Sequence, residues 1–504
     1  MVGVPRSKRC QRCKRIKVKC DENWPNCTPC VRANVPCSGP PTLTKFVHHK
    51  STDETLVGDK TEGRFSAAEM PVGNLESLRH RNLPGGASFG HFRLASDEPR
   101  KNLTTVADRV GARLVRFVDH EDAPWDMLTY AGYMKYIPGR LSESAALRDA
   151  VALMCSTWAN ARRNVPTNQL IDPSLYGKAL RNLQRALDDQ KQQITAETLA
   201  AVTILERLDG VFDTKYPYNV STHGVGVAGL MAVRGPPNIE DELDIHLATE
   251  NHAALISHLA FNGGDNFYLR SPWKEVMTQA RVRLKKIVSN ERLDGYAIGR
   301  YFGYWPGLIH SLLNISEDPD INTRQAQAEA LQRLVTNFDT QVQNTCEPIT
   351  QRAFNAGRIN ELPDPESPIG TKLHFKSLDI MSFFLSYVWM RIMLNRMLDH
   401  LAGLLGESND LLEAENRELS KQIWMCIPFL RSLGKVPYVF SRTPIIISYE
   451  GGNEVEREYI LDNLMGMPVY STRAFPADKK TLEAHVLSLA KAMSGRQRIT
   501  VTPR

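Results

Sequence analysis

The 504-residue sequence predicts a small cysteine-held module at the N-terminus and a large all-α domain, joined by a flexible linker. Three observations carry this reading. Six of the nine cysteines fall within the first 37 residues. From 41 to 100 no hydrophobic period persists, and polar residues, Pro and Gly dominate. From 101 onward apolar residues recur every three or four positions, the helical period. The expected organisation is therefore a module at 1–40, a linker at 41–100 and a helical domain at 101–504.

The cysteines come first. Cys10, Cys13, Cys20, Cys27, Cys30 and Cys37 follow the pattern C-x2-C-x6-C-x6-C-x2-C-x6-C, one unit written twice with an offset of 17 residues. A C-x-x-C pair can bring two thiolates to one tetrahedral ion. Two tetrahedral zinc ions need about eight ligand positions, and six cysteines are present. Either two thiolates bridge, or one ion is incompletely held. The repeat nominates its two equivalent first cysteines, Cys10 and Cys27, as bridges. A disulfide scaffold would need an oxidising compartment, and the opening MVGVPRSKRC lacks the apolar run of a secretory signal. A single zinc site with two spare cysteines is the remaining alternative.

Charge points to the partner. Residues 1–40 hold nine Lys and Arg against Asp21 and Glu22, a balance of +7, while the whole chain carries +6. The remaining residues are therefore close to neutral. A basic stripe of this kind is an electrostatic footprint for phosphate, with binding that weakens steeply as salt rises. The same residues could serve nuclear import. Between Cys13 and Cys20, the run Lys14-Arg15-Ile16-Lys17-Val18-Lys19 can form a short helix whose two ends are held by metal. Its N-terminal amides would favour an anion, and a helix so held can enter the major groove.

The segment CQRCKRIKVKCDENWPNCTPCVRANVPC resembles the fungal zinc binuclear cluster, the six-cysteine DNA-binding domain of fungal transcription factors. The likeness lies in all six cysteines, the basic run, Asp21 after the third cysteine and Pro25 in the loop between repeats. It implies two Zn2+ ions, one on Cys10, Cys13, Cys20 and Cys27, the other on Cys27, Cys30, Cys37 and Cys10. It implies double-stranded DNA with CGG-like half-sites as partner. Lys17 is then the position that reads base edges, and lysine can donate to guanine O6 and N7. Lys14, Arg15 and Lys19 contact phosphate or bases, and Arg9 and Arg12 are further phosphate candidates. One departure is visible: Ile16 interrupts what is often three consecutive basic residues. The second repeat has only Arg32 as a basic residue and reads as the structural half.

No heptad pattern follows the module, so the coiled coil that often sets half-site spacing is missing. A homodimer, if formed, must use another part of the chain. His48 and His49 lie near the module, but six thiolates already saturate two zinc ions.

In the helical domain, Leu147, Val151, Met154 and Trp158 set a first amphipathic stretch from 144 to 160. Tyr176, Leu180, Leu183 and Leu187 set a second over 173–188, with Pro173 suited to a first turn. Leu199, Val202, Leu205 and Leu208 set a third from Ala196. Further helices are expected near 245–260, 272–289, 325–342, 376–404, 413–433 and 478–493, with Pro444 to Tyr449 as an isolated strand candidate. The runs SAALRDAVALMCSTWA, YGKALRNLQRALDD, ETLAAVTILERLD and HGVGVAGLMAVRGP, roughly 140–236, resemble the N-terminal half of the fungal-specific regulatory domain found after such clusters.

Three other signals carry little. Gly224 to Gly229 reads G-x-G-x-x-G, but no strand precedes it and the segment ends early at Arg234-Gly235-Pro236-Pro237. The apolar run Ile380 to Leu398 contains Arg391, Asn395 and Arg396, which suits a buried bundle helix and no membrane span. Cys155, Cys346 and Cys426 are scattered, with packing as their default role. No nucleophile with a base, paired catalytic carboxylates or phosphate loop is present, so no enzyme is expected. The expectation is a nuclear regulator of RNA polymerase II transcription, pathway-specific, with the transcription machinery or coregulators as further partners. A second possibility is that the helical region binds an apolar small molecule along a stripe such as Phe383, Phe384, Trp389, Met390 and Met393.

Overall fold

The computed structural model describes residues 10–21, 27–37, 105–118, 131–212, 222–433, 441–467 and 478–498. The expected linker at 41–100 and the residues Arg9, Pro25, His48 and His49 lie outside these. The chain divides into two compact units, Met1–Ser96 and Asp97–Arg504.

The first unit carries two short helices, α1 (Gln11–Arg15) and α2 (Thr28–Arg32). Its core is sulfur: Cys10, Cys13, Cys27 and Cys30 are fully buried, and Cys20 nearly so. A segment this short cannot fold around apolar side chains, so metal must supply what a hydrophobic core would.

The second unit is helical. It opens with α3 (Val106–Val118), α4 (Ala145–Arg162), α5 (Pro173–Asp188), α6 (Ala196–Phe212) and α7 (Thr222–Arg234). Local chemistry fixes several starts. Ser144 caps α4 by accepting from the Leu147 amide at 3.2 Å. Asp172 caps α5 at the Ser174 and Leu175 amides, ahead of Pro173 in the first turn. Leu147, Val151, Leu199 and Leu205 meet in one core with Met231 of α7. The G-x-G-x-x-G string lies inside α7, and the described residues that precede this helix, α6 up to Phe212, are helical.

The next helices are α8 (Glu242–Asn262), α9 (Trp273–Leu284), α10 (Asn290–Phe302), α11 (Trp305–Glu317) and α12 (Ile321–Asn355). Helix α8 supplies both of the large cores of this unit. Leu243, Leu247, Leu255 and Leu259 join the first, Ile256 and Ala260 the second. It ends at Gly263, whose φ of +73° suits glycine.

A hairpin follows, β1 (Ile359–Asp364) against β2 (Gly370–Phe375), antiparallel from Ile359↔Phe375 to Asp364↔Gly370. The sequence reading did not contain it. Along β1 only the two end residues are buried, so the strand shows no alternation. Phe375 seats the hairpin on Phe384 and Phe429, with ring centroids 5.6 and 5.3 Å away.

The unit closes with α13 (Leu378–Leu404), α14 (Asp410–Ser432), α15 (Arg442–Ser448), α16 (Glu454–Met465) and α17 (Lys479–Met493). The strand expected at Pro444 to Tyr449 is instead α15. Ile445, Ile446 and Ile447 are each at most 1 % exposed. A short helix buried on every side has the same apolar run as a buried strand, and composition cannot separate them.

Helix α13 runs through the centre of the second core. Its Arg391, Asn395 and Arg396 are buried but partnered. Arg391 pairs with Asp339 at 2.7 Å and with Glu415 at 2.5 Å, Asn395 donates to Glu415 at 2.9 Å, and Arg396 pairs with Glu413. Among the described residues no helix is long and apolar enough to cross a membrane. Of the Met and aromatic stripe, Phe383, Phe384, Met390 and Met393 are at most 2 % exposed and pack the core. Cys155, Cys346 and Cys426 are buried, and burial pushes the Cys155 and Cys346 thiols up to about 12. Such thiols stay protonated and unreactive.

Candidate zinc centre and nucleic-acid interface

Each half of the cysteine repeat folds by the same local rules. Cys10 stands in extended backbone just before α1, and its sulfur accepts from the Cys13 amide at 3.4 Å. One turn of helix follows. It closes at Ile16, with Lys17 in the left-handed region at φ +55° and the Val18 amide donating to the Cys13 carbonyl at 3.1 Å. That closure is a Schellman turn. It reverses the chain and returns it to the third ligand, Cys20. The second half repeats the design 17 residues later. Cys27 precedes α2, Asn34 takes φ +48°, and the Val35 amide donates to the Cys30 carbonyl at 3.2 Å.

The two halves lean together through sulfur. Cys10 and Cys27 have their Sγ atoms 3.8 Å apart. Cys10–Cys30 and Cys13–Cys27 stand at 3.7 Å, and Cys27–Cys37 at 3.8 Å. A zinc–sulfur bond of about 2.3 Å in a regular tetrahedron puts neighbouring sulfurs about 3.8 Å apart. The sulfurs thus hold the spacing of a tetrahedron's edges. They form two quartets, Cys10-Cys13-Cys20-Cys27 and Cys10-Cys27-Cys30-Cys37, within each of which all ligand atoms lie within 4.8 Å of one another. The quartets share Cys10 and Cys27, the pair nominated by the repeat. Six sulfurs in this arrangement fit two zinc ions.

Electrostatics set a condition on metal binding. Burial pushes the Cys13 thiol up to about 12 and drives Cys27 higher still. Thiols in this state would keep their protons at neutral pH. Zinc must displace those protons to bind, and its charge is what makes a buried cluster of thiolates tolerable.

Two further residues tie the halves. The Asp21 carboxylate accepts from the Thr28 amide at 3.1 Å, so the first half caps the helix of the second. Arg12 reaches across as well, donating to the Pro29 carbonyl at 3.4 Å and lying 3.9 Å from the Cys30 sulfur. These cross-links are absent from the sequence reading, which took Asp21 only as part of a likeness and Arg12 as a phosphate candidate. The signal available was positional: both residues adjoin a ligand.

The basic run differs from expectation in one respect. The helix spans Gln11–Arg15, earlier than the expected Lys14 to Lys19. The reason is that Cys10 acts as its cap, which sets the first turn between the first two ligands. The Cys13 amide is then occupied by Cys10 sulfur and is not open to a phosphate. Lys14 and Arg15 stand at the helix end, Lys17 at the reversal and Lys19 just before Cys20, all four exposed. Between them Ile16 and Val18 are also exposed, at 45 % and 38 %. The second half offers Arg32, also exposed.

Residues 8–45 match the family model of the fungal Zn(2)-Cys(6) binuclear cluster domain. No curated protein and no solved structure matches the chain. The helical character of the remainder agrees with a regulatory domain of the kind that follows such clusters. With the sulfur geometry and this match together, the chain carries a fungal Zn(2)-Cys(6) binuclear cluster domain, which binds two zinc ions and is the DNA-binding module of a family of transcription regulators.

Proposed function

We propose that the protein is a sequence-specific regulator of RNA polymerase II transcription, acting in the nucleus on one pathway's promoters. The observation that supports this best is the partition of the first unit. Its cysteines gather in a metal-sized cluster, while Lys14, Arg15, Lys17 and Lys19 are exposed on the turn between them. Lys17 carries base readout in a CGG-like half-site. Lys14, Arg15 and Lys19 supply phosphate affinity, joined by Arg9. The cross-link that Arg12 makes to the second half gives it a structural share of the work. The helical unit serves a homodimer, a signal or coregulators.

The test is binding of the full chain to a CGG-containing duplex and to a scrambled one, over a range of salt. Preference for the CGG duplex that vanishes with chelation and returns with zinc supports the reading. Equal affinity for both duplexes in zinc-loaded protein contradicts it.

A further inference from the structure

We propose that a cleft in the helical unit is a binding site for a small organic anion with a flat apolar body. The cleft lies between α8, α9, α10 and α13, at the seam of the two cores, and has a volume of about 400 Å³. That size and a position between two packed bodies are usual for small-molecule sites. The proposal is independent of DNA binding.

One wall is aromatic. Phe302 stacks on Trp389 with centroids 4.8 Å apart and planes 27° from parallel. Trp305 stands edge-on to Trp389 at 5.7 Å, and its indole N–H is already spent on the Met493 carbonyl at 2.8 Å. These rings therefore offer a flat apolar surface on which the Trp305 donor is already spent. Trp389 is the one member of the sequence's Met and aromatic stripe that lines this cleft.

The charged part of the lining is mostly cationic. Arg207, Arg281, Arg292 and Arg300 contribute four guanidinium groups, against Glu250 as the only carboxylate. Glu250 is already shared, with Arg292 at 3.5 Å, Arg207 at 3.7 Å and His246 at 3.7 Å. It cannot also serve the other two. Arg281 forms no ion pair among the described residues. Arg300 meets only tyrosine, donating to the Tyr301 hydroxyl at 2.9 Å and lying over its ring. Desolvation and the nearby Arg300 charge hold Arg281 below the usual arginine range. His252, stacked on Tyr268 at 4.3 Å, lines the same cleft. Burial and the Arg281 charge bring it down to about 4, so it is neutral and neutralises nothing. Two uncompensated guanidinium groups beside an aromatic wall select a carboxylate, sulfonate or phosphate on a flat ring system. The anion would sit between Arg281 and Arg300 by charge-assisted hydrogen bonds.

The experiment titrates full-length zinc-loaded protein with 1-anilinonaphthalene-8-sulfonate and with N-phenyl-1-naphthylamine, its uncharged counterpart. Fluorescence and calorimetry give affinity and stoichiometry. The sulfonate should bind one molecule per chain, more tightly than the neutral dye. Replacing both arginines, Arg281→Gln with Arg300→Gln, should weaken the sulfonate about tenfold or more and leave the neutral dye unchanged. Both arginines are exposed, so this variant should melt like the wild type. Ser386→Trp, which fills the cleft from α13, should block both dyes. Absence of saturable binding by the wild type, or sulfonate affinity unchanged in the double Gln variant, overturns the proposal. Loss of both dyes equally in that variant also overturns it, since the arginines would then act only through structure.

Discussion

Lys17 occupies backbone that a lysine avoids. Left-handed conformation at a single non-glycine residue costs roughly 1–2 kcal/mol, and its counterpart in the second half is Asn34, a residue that tolerates it better. Strain held at one position invites a functional reading. The turn needs positive φ to bring Cys20 back to the metal, and the exposed side chain at that turn is the one proposed to read bases. Lys17→Gly should therefore raise the stability of the zinc-loaded unit relative to Lys17→Ala by about 1 kcal/mol, while both lose discrimination between CGG and scrambled duplexes. Zinc competition with a chelator measures the first, and binding to paired duplexes the second. A stability gain in Ala equal to that in Gly would show that the turn is not strained.

Arg12 and Arg15 separate structure from contact at the same scale. Arg15→Ala should lower the slope of log affinity against log salt by about one. Arg12→Ala should leave that slope unchanged and speed zinc loss to a chelator, because its guanidinium lies on Pro29 and the Cys30 sulfur. A fall in slope for Arg12→Ala would make it a phosphate contact.

At the scale of elements, helices whose apolar stripe meets a named cap were legible in the sequence. Helix α5 begins at Pro173 and ends at Asp188, as the period and the proline foretell. Helix α12 continues to Asn355 through Pro348, well past the expected end near 342. Tertiary packing of Cys346, Thr350 and Ala353 holds the last turns in place, a contribution that periodicity alone does not register. The hairpin and α15 were illegible for the opposite reasons, too little alternation in one and unbroken burial in the other. In the cluster the six ligands were legible from spacing, and the position of the basic turn was not. Its register depends on Cys10 acting as a helix cap, a role that cysteine seldom advertises.

Helix α13 gives a test of the same kind. Arg391 balances Asp339 on α12 and Glu415 on α14, with 7 % of its side chain exposed. Arg391→Met leaves Asp339 buried without its cation and should cost about 3–5 kcal/mol, read as a lowered melting temperature. Adding Asp339→Leu should recover part of that loss. If the double variant melted no higher than the single, the pair would not be the source of the cost.

Across the whole molecule, two folding economies operate. The helical unit buries large apolar cores. The first unit has a core of sulfur and depends on zinc. Chelation should therefore abolish DNA binding while the far-ultraviolet signal and main melting transition, dominated by the helical unit, persist. Loss of both together would mean that the helical unit depends on the cluster.

The central claim is that six cysteines hold two zinc ions by sharing Cys10 and Cys27. Native mass spectrometry of the full chain counts the ions directly. Two zinc ions per chain are expected, and Cys10→Ala or Cys27→Ala should remove both where Cys13→Ala spares one at least in part. A folded chain that binds DNA with a single zinc ion would contradict the shared-ligand centre.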